Sequence, residues 1–174
     1  MSPFTHDLSI DPGIGKSNGT GWVLWHLDGT FARAGLVRAD KDATSLAYQA
    51  ISIRDGLRTH LHDSHHTKVR RLYLEHMQIY GRQKAKGDPN DLVDVSYLEG
   101  VLAAPYDDVV LYSPHDWKGN VPNDVLERRI RAELIRYPGE LDRLDADLRY
   151  VLKGLAHNTM AAVGIGLKGL GRLH

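Results

Sequence analysis

Two acidic residues at the ends of strand-like segments are the first candidates for chemistry. Asp11 closes the segment "HDLSID" just before Pro12, and Glu75 lies inside the apolar segment "RLYLEHMQIY". Two carboxylates from neighbouring strands could share a divalent cation, and hard oxygen ligands favour Mg²⁺ or Mn²⁺. Each residue also has an ordinary alternative. Asp11 could cap the turn, and Glu75 could point outward or form an ion pair with Arg70 or Arg71.

A glycine-rich phosphate loop is a second candidate chemistry, suggested by Gly15-Lys16-Ser17. Such a loop requires the spacing Gly-x-x-x-x-Gly-Lys-Ser/Thr and must open a helix. The position of the first glycine is occupied by Ile10, and the following "NGTGWVLW" has strand composition. The sequence therefore argues against a phosphate loop here.

The elements that would position the two carboxylates follow from hydrophobic periodicity. Residues 8–38 predict three antiparallel strands with a hairpin turn at Asp28-Gly29. Downstream, helical and strand-like segments alternate, and the chain after residue 122 is helical in pattern. The order βββ-α-β-α-β-α predicts an α/β domain with a mixed sheet and helices on its faces.

Length and composition limit the class of protein. The chain of 174 residues suits a single domain spanning 1–174. It contains no cysteine, which excludes disulfides and thiolate metal sites and fits a cytoplasmic location. We see neither a signal peptide nor a membrane-spanning segment, so no membrane partner is expected. A formal net charge of +0 argues against a uniformly basic DNA-binding surface but not against a local one.

Four segments, taken together and in order, resemble the RuvC-type Holliday junction resolvases of the RNase H-like superfamily, particularly phage or prophage members. The likeness covers residues 7–170 and rests on "SIDPGIGKSNGTGWVLW", "LYLEHMQIY", "YSPHDWKGNVP" and "HNTMAAVGIGL". It implies an RNase H-like fold with a mixed five-stranded sheet, three antiparallel strands then two parallel ones, flanked by helices. It also implies a structure-selective endonuclease that cleaves branched DNA, such as a four-way junction, in a bacterial cell or a phage-infected host.

The resemblance assigns metal-binding and catalytic roles to Asp11 and Glu75. In the family, an acidic cluster holds two Mg²⁺ ions per active site, with Mn²⁺ as a substitute. One ion activates water and the other stabilises the leaving oxygen. The products implied are nicks with 5′-phosphate ends.

The remaining ligands of the family lie at the start of the final helix, where this chain has His157, Asn158 and Ala161. All three would share one helical face. The family pattern has Asp-Ala where this chain has Ala161-Ala162, so an acidic ligand is missing. We expect little or no cleavage activity. Either Ala161 is an introduced Asp→Ala change or the chain is a naturally degenerate relative, and the intact state of the other motifs favours the first.

Basic residues near these motifs are the predicted DNA contacts. Lys118, in "HDWKGNVP", resembles the family's lysine beside the scissile phosphate, whereas Trp117 is predicted to be a packing anchor. Phosphate contacts are also predicted for Lys16, Arg82, Lys84 and Lys86. The ordinary alternative for this basic loop is a solvated surface segment.

Two questions stay open at the level of sequence. A junction has two strands to cut, so a C₂ homodimer is expected, and the apolar residues of the second helix form either the dimer face or ordinary core. These residues are Leu92, Val95, Leu98, Val101 and Leu102. The alternative functions are another nuclease of the superfamily, terminase-like or hybrid-cleaving, and a non-catalytic junction-binding protein.

Overall fold

A mixed five-stranded sheet forms the centre of the molecule. The computed structural model describes residues 4–15, 17–62, 67–77 and 89–173. The strands are β1 (His6–Asp11), β2 (Thr20–His26), β3 (Phe31–Val37), β4 (Val69–Glu75) and β5 (Val109–Tyr112), in the spatial order β3-β2-β1-β4-β5. The first three pair antiparallel, and β4 and β5 continue the sheet in parallel. The predicted fold class is confirmed.

Helices cover both faces of the sheet. They are α1 (Leu46–His62), α2 (Pro89–Ala103), α3 (Pro114–Trp117), α4 (Asn123–Ile135), α5 (Glu140–Leu148) and α6 (Ala156–Gly169), with a 3₁₀ turn at Lys153–Leu155. One core layer is shared with α1 and α2, and the other with α3 to α6. The short α3 was not predicted. It begins at a capping box in which Ser113 and Asp116 exchange side-chain and backbone hydrogen bonds.

The apolar side chains of α2 are divided between the core and the surface. Val95, Leu98 and Leu102 are buried in the layer shared with α1 and β4. The interpretation of these three as a dimer face is therefore wrong, and the alternative of ordinary core is correct for them. Val93 and Tyr97 instead point to solvent, with 61% and 44% of their surface exposed.

The last helix, α6, lies with its backbone directly against the sheet. A Cβ added to Gly166 would overlap the Trp25 indole and the Ser9 hydroxyl. Ser9 Oγ donates to the Ala162 carbonyl at 2.7 Å and accepts from Trp25 Nε1 at 2.9 Å. Glycine at the contact is what allows the helix and the strands to approach this closely.

A buried ion-pair cluster fastens the α4–α5 hairpin to the rest of the molecule. Arg172 donates to Glu140 Oε2 at 2.8 Å and to the Gly29 carbonyl at 2.7 Å, and its Nε lies 3.4 Å from Glu133 Oε1. The guanidinium also stacks 3.7 Å from the centre of the Tyr137 ring. The contacts connect the end of the chain to the β2–β3 turn and to both helices of the hairpin.

Across the parts of the chain that the structure describes, no helix combines the length and the apolar character that a membrane crossing requires.

Candidate active site

Asp11 and Glu75 are the last residues of two neighbouring parallel strands. Ile10 pairs with Leu74 in the register of β1 and β4, so the next residue of each strand lies at the same edge of the sheet. Ile10 and Leu74 are buried in the α1–α2 layer, so the alternating side chains of Asp11 and Glu75 face the α6 side. Both line a cleft of about 410 Å³, together with Lys118, His157 and Ala161.

The two carboxyl groups both have raised pKa values, which Lys118 offsets only in part. Loss of hydration raises the pKa of Asp11 well above its usual range, and the charge of Glu75 raises it further, against the opposing effect of Lys118. Loss of hydration also raises the pKa of Glu75, opposed by Lys118 and by a hydrogen bond from Trp117. Within the described residues, no hydrogen bond reaches the Asp11 carboxylate and Lys118 forms no ion pair with either acid.

One oxygen of Glu75 is fixed by the short helix α3. Trp117 Nε1 donates to Glu75 Oε2 at 2.7 Å, and this contact is buried. The next residue, Lys118, has its Nζ 5.2 Å from the centre of the same indole ring. Sequence reasoning assigned Trp117 to packing, and nothing in the pattern "HDWKGNVP" indicates that its indole N–H points at Glu75.

The backbone that follows Glu75 is held from the other side of the sheet by a buried acid. Glu99 Oε1 accepts from the Met77 N–H at 2.9 Å, and Glu99 Oε2 lies 2.8 Å from His76 Nδ1. Sequence reasoning missed Glu99. The helical spacing could have indicated it. Glu99 lies four residues after Val95 on the buried side of α2, where an unpaired charge is costly.

The start of α6 places its three predicted ligand positions in two different directions. His157 and Ala161 line the cleft, with His157 exposed to solvent. Asn158 is turned away, and its Nδ2 donates to Asn18 Oδ1 at 2.9 Å and to the Gly19 carbonyl at 2.5 Å. The expectation that the three share one face is therefore wrong for Asn158, because successive helical residues are rotated by about 100°. Its side chain fastens the β1–β2 turn to α6.

A divalent cation fits part of this arrangement. The carboxylates of Asp11 and Glu75 are the hard oxygen donors that Mg²⁺ and Mn²⁺ prefer, and a cation would relieve their mutual repulsion. Ala161 contributes no ligand atom. In the described residues, no three side chains of the histidine, aspartate and glutamate type come together as a metal-binding group. The cleft therefore contains the carboxylate pair of Asp11 and Glu75 but lacks the acidic ligand expected at position 161.

The outer wall of the cleft comes from α4, which sequence reasoning did not connect with the site. Asp124 and Glu127 line the cleft, and each is paired along the helix, with Arg128 at 3.2 Å and Arg131 at 3.0 Å respectively. Charged residues spaced three apart are common on exposed helices, so no pattern distinguishes these two.

The other predicted DNA contacts belong to segments outside the described residues. They are Lys16, Arg82, Lys84 and Lys86. Only Lys118 among the predicted phosphate contacts is described, and it lies in the cleft.

Comparisons with known proteins bear on the fold. No protein-family model and no curated protein matches the chain. Among solved structures, Thermus thermophilus RuvC in complex with a Holliday junction substrate matches with a TM-score of 0.52 and 14% identity, over 97% of this chain and 98% of that one. A second structure of Thermus thermophilus RuvC matches with the same TM-score and coverage and 17% identity. The chain has a RuvC-like fold. At this level of identity the likeness concerns architecture, so the chemistry has to be argued from the cleft.

Proposed function

We propose that the chain is a nuclease of the Holliday junction resolvase type, which binds four-way DNA junctions and hydrolyses phosphodiester bonds with Mg²⁺ or Mn²⁺. The observation that carries this proposal is the Asp11–Glu75 pair at the ends of β1 and β4, in one cleft with Lys118. A pair of desolvated carboxylates beside a lysine suits a divalent cation and a phosphate. In a RuvC-like fold, that chemistry favours DNA cleavage over other reactions of the same groups.

Each residue of the cleft would have a different role in the reaction. Asp11 and the oxygen of Glu75 that Trp117 leaves free would hold the cation, which when bound supplies an activated water and charge stabilisation at the leaving oxygen. The ammonium group of Lys118 would bind the phosphate. His157, exposed at the start of α6, is suited to contact the attacking water.

The missing acid at position 161 is proposed to limit the activity of this chain. An aspartate there would stand in the same cleft as the other two carboxylates, one turn after His157. We therefore expect the chain with Ala161 to bind a labelled four-way junction with little or no cleavage. Ala161→Asp is expected to raise the Mg²⁺-dependent cleavage rate at least about 10²-fold, the scale of a lost metal ligand or charge stabiliser.

The control for this experiment is Ala156→Asp, the same substitution at the first residue of α6 but outside the cleft. It should leave cleavage at the level of the unmodified chain. Asp11→Asn combined with Ala161→Asp should abolish the gain. Full cleavage activity with Ala161 in place would contradict the proposal that an acid at position 161 is needed.

A non-catalytic junction-binding protein is the second candidate function. It is favoured by the lack of a ligand atom at Ala161 and of a three-residue metal-binding group in the described part of the chain. Tight binding of the junction without cleavage, even after Ala161→Asp, would support this alternative. Parallel assays with a flap and an RNA–DNA hybrid test for a terminase-like or hybrid-cleaving nuclease instead.

We also propose that the active form is a homodimer, since junction resolution requires two cleavage sites related by two-fold symmetry. The exposed apolar residues near α2 suggest where the partner binds. Val93 and Tyr97 lie one turn apart on its outer side, and Leu111 on the edge strand β5 is 52% exposed. Neighbouring exposed apolar residues such as Val93 and Tyr97 are the candidate surface for this partner.

A further inference from the structure

We infer that Trp117 is a positioning residue, which sets the Glu75 carboxylate and the Lys118 ammonium relative to each other through one indole ring. The inference rests on the proposed function, in which Glu75 binds a cation and Lys118 binds a phosphate. It concerns the hydrogen bond and the cation–π contact of Trp117, and it assigns a role to a residue that otherwise looks like core.

The edge of the indole acts on Glu75. Trp117 is 5% exposed, and its only N–H donates to Glu75 Oε2 at 2.7 Å. This hydrogen bond stops rotation of the carboxylate and occupies one of its two oxygens. Among the described residues the second oxygen accepts no hydrogen bond, so that Glu75 is prepared to bind a cation through a single oxygen.

The face of the indole acts on Lys118. The ammonium Nζ lies 5.2 Å from the ring centre, within the range of a cation–π contact. Among the described residues Lys118 forms no ion pair, so the ring is the contact that restrains this flexible side chain. Because the ring offers no oxygen acceptor to the ammonium group, Lys118 keeps N–H donors for a phosphate.

The indole itself is held rigidly. The capping box of Ser113 and Asp116 fixes the start of α3. On the other side, a Cβ added to Gly164 of α6 would overlap the ring, so the indole rests on the helix backbone there. Trp117 thus also fixes α6, which carries His157 and Ala161, against the carboxylate edge.

The substitution that separates the hydrogen bond from packing is Trp117→Phe. It keeps an aromatic ring against α6 and Lys118 but removes the N–H. Loss of a side chain that hydrogen-bonds to a metal ligand typically lowers metal affinity 10- to 100-fold. We expect the affinity for Mn²⁺, followed by the electron paramagnetic resonance signal of free Mn²⁺, to fall by about 10-fold.

The matched control is Trp22→Phe. Trp22 is also buried, but within the described part of the chain its Nε1 has no hydrogen-bond partner. This variant loses the same ring volume in a core without losing a hydrogen bond to a carboxylate. It should leave Mn²⁺ affinity unchanged, whatever it does to thermal stability.

A second measurement tests the same contact without Trp117→Phe, in case that variant fails to fold. In the unmodified chain, the indole ¹⁵N–¹H NMR signals of Trp22, Trp25 and Trp117 report the three side chains separately. Glu75→Gln and added Mg²⁺ should each shift the Trp117 signal and leave that of Trp25, which donates to Ser9, in place.

The results distinguish the inference from the proposed function. An unchanged Trp117 signal in Glu75→Gln would overturn the inference, and so would measurable Mn²⁺ binding of equal affinity in Trp117→Phe and the unmodified chain. Absence of Mn²⁺ binding in both the unmodified chain and Ala161→Asp would overturn the proposed metal site. The shift of the Trp117 signal in Glu75→Gln would still support the positioning contact in that case.

Discussion

The carboxyl group of Asp11 lowers the free energy of unfolding when no cation is bound. Loss of hydration and the charge of Glu75 raise its pKa well above 3.8. Between pH 3.8 and the raised pKa, the native state binds more protons than the unfolded state, so this group makes the free energy of unfolding fall as pH rises. Sites that bind charged ligands commonly carry such a cost.

Asp11→Asn is therefore expected to stabilise the protein in the absence of divalent cations. The free energy of unfolding should rise by about 1 kcal/mol at pH 7, the usual scale when a functional site is relieved of strain. The gain should shrink toward pH 3, where the unfolded-state carboxyl is protonated as well. Urea unfolding in the presence of a chelator, at both pH values, measures the difference.

The exposed Asp107, replaced by Asn, is the control for this measurement and should change stability little at either pH. A stabilisation of equal size at pH 7 and pH 3 would contradict the electrostatic explanation, because a packing effect does not depend on the protonation of residue 11.

Some site residues were predictable from sequence and others were not, for physical reasons. Asp11 and Glu75 were predictable because each interrupts or ends an apolar strand, where a charge is costly. The contacts of Asn158 were not, since helical spacing separates its side chain from that of His157 by about 100° but does not identify what it binds. The side chain instead follows two acceptors in the distant β1–β2 turn. A contact made across 140 residues leaves no local pattern.

At the scale of elements, the close contact of α6 with the sheet depends on glycine. Gly166→Ala would normally favour a helix, but here the new methyl group would overlap Trp25 and Ser9. We expect the free energy of unfolding to fall by about 2 kcal/mol, in the range for overpacking of a tight contact. Thermal or chemical unfolding followed by circular dichroism measures this change.

The opposite result is expected for Gly100→Ala in α2, where no atom of the described residues lies within 4 Å of the added Cβ. With no overlap, the helix propensity of alanine should dominate and stabilise the protein by about 0.5–1 kcal/mol. Equal effects at the two glycines would show that α6 is less tightly seated than the structure indicates.

Which helices and strands could be predicted from sequence also depends on whether a local pattern forms them. The strands and long helices were predictable because their apolar residues recur with period two or 3.6. The helix α3 was not, because its four residues form through the capping box of Ser113 and Asp116 rather than through a periodic pattern. The division of α2 also required the structure, since both its sides carry apolar residues.

At the scale of the whole molecule, Arg172 connects elements that are far apart in sequence. Arg172→Met would remove the cation paired with the buried carboxylate of Glu140, whereas Glu133 would keep its ion pair with Arg136 at 2.8 Å. Breaking a buried ion pair from one side typically costs about 3–5 kcal/mol, so we expect a loss of about 3 kcal/mol in the free energy of unfolding. Chemical unfolding monitored by tryptophan fluorescence measures it.

Arg128→Met is the comparison, because in the described part of the chain Arg128 pairs with Asp124 alone, at the exposed surface of α4. That pair should contribute no more than about 0.5 kcal/mol. If the two substitutions destabilise the protein equally, the Arg172 cluster does not fasten the α4–α5 hairpin as the contacts suggest.

The proposed dimer makes a prediction at the same scale. Tyr97→Lys would place a charge in the exposed apolar patch on α2 and should shift the protein from dimer to monomer in light scattering coupled to size-exclusion chromatography. Tyr150→Lys is the control, since Tyr150 is 92% exposed beyond the end of α5. A dimer that survives Tyr97→Lys but not Tyr150→Lys would place the interface elsewhere.

The close seating of α6 on the first two strands has a consequence for the order in which the protein is made. Asp11 leaves the ribosome well before His157 and residue 161, which follow after all five strands. The segments of the cleft therefore meet only after α6 has been made, when the sheet has been able to form. A nascent chain carries the first carboxylate without the helix that closes the cleft, so the cleft would stay incomplete while the strands are being made.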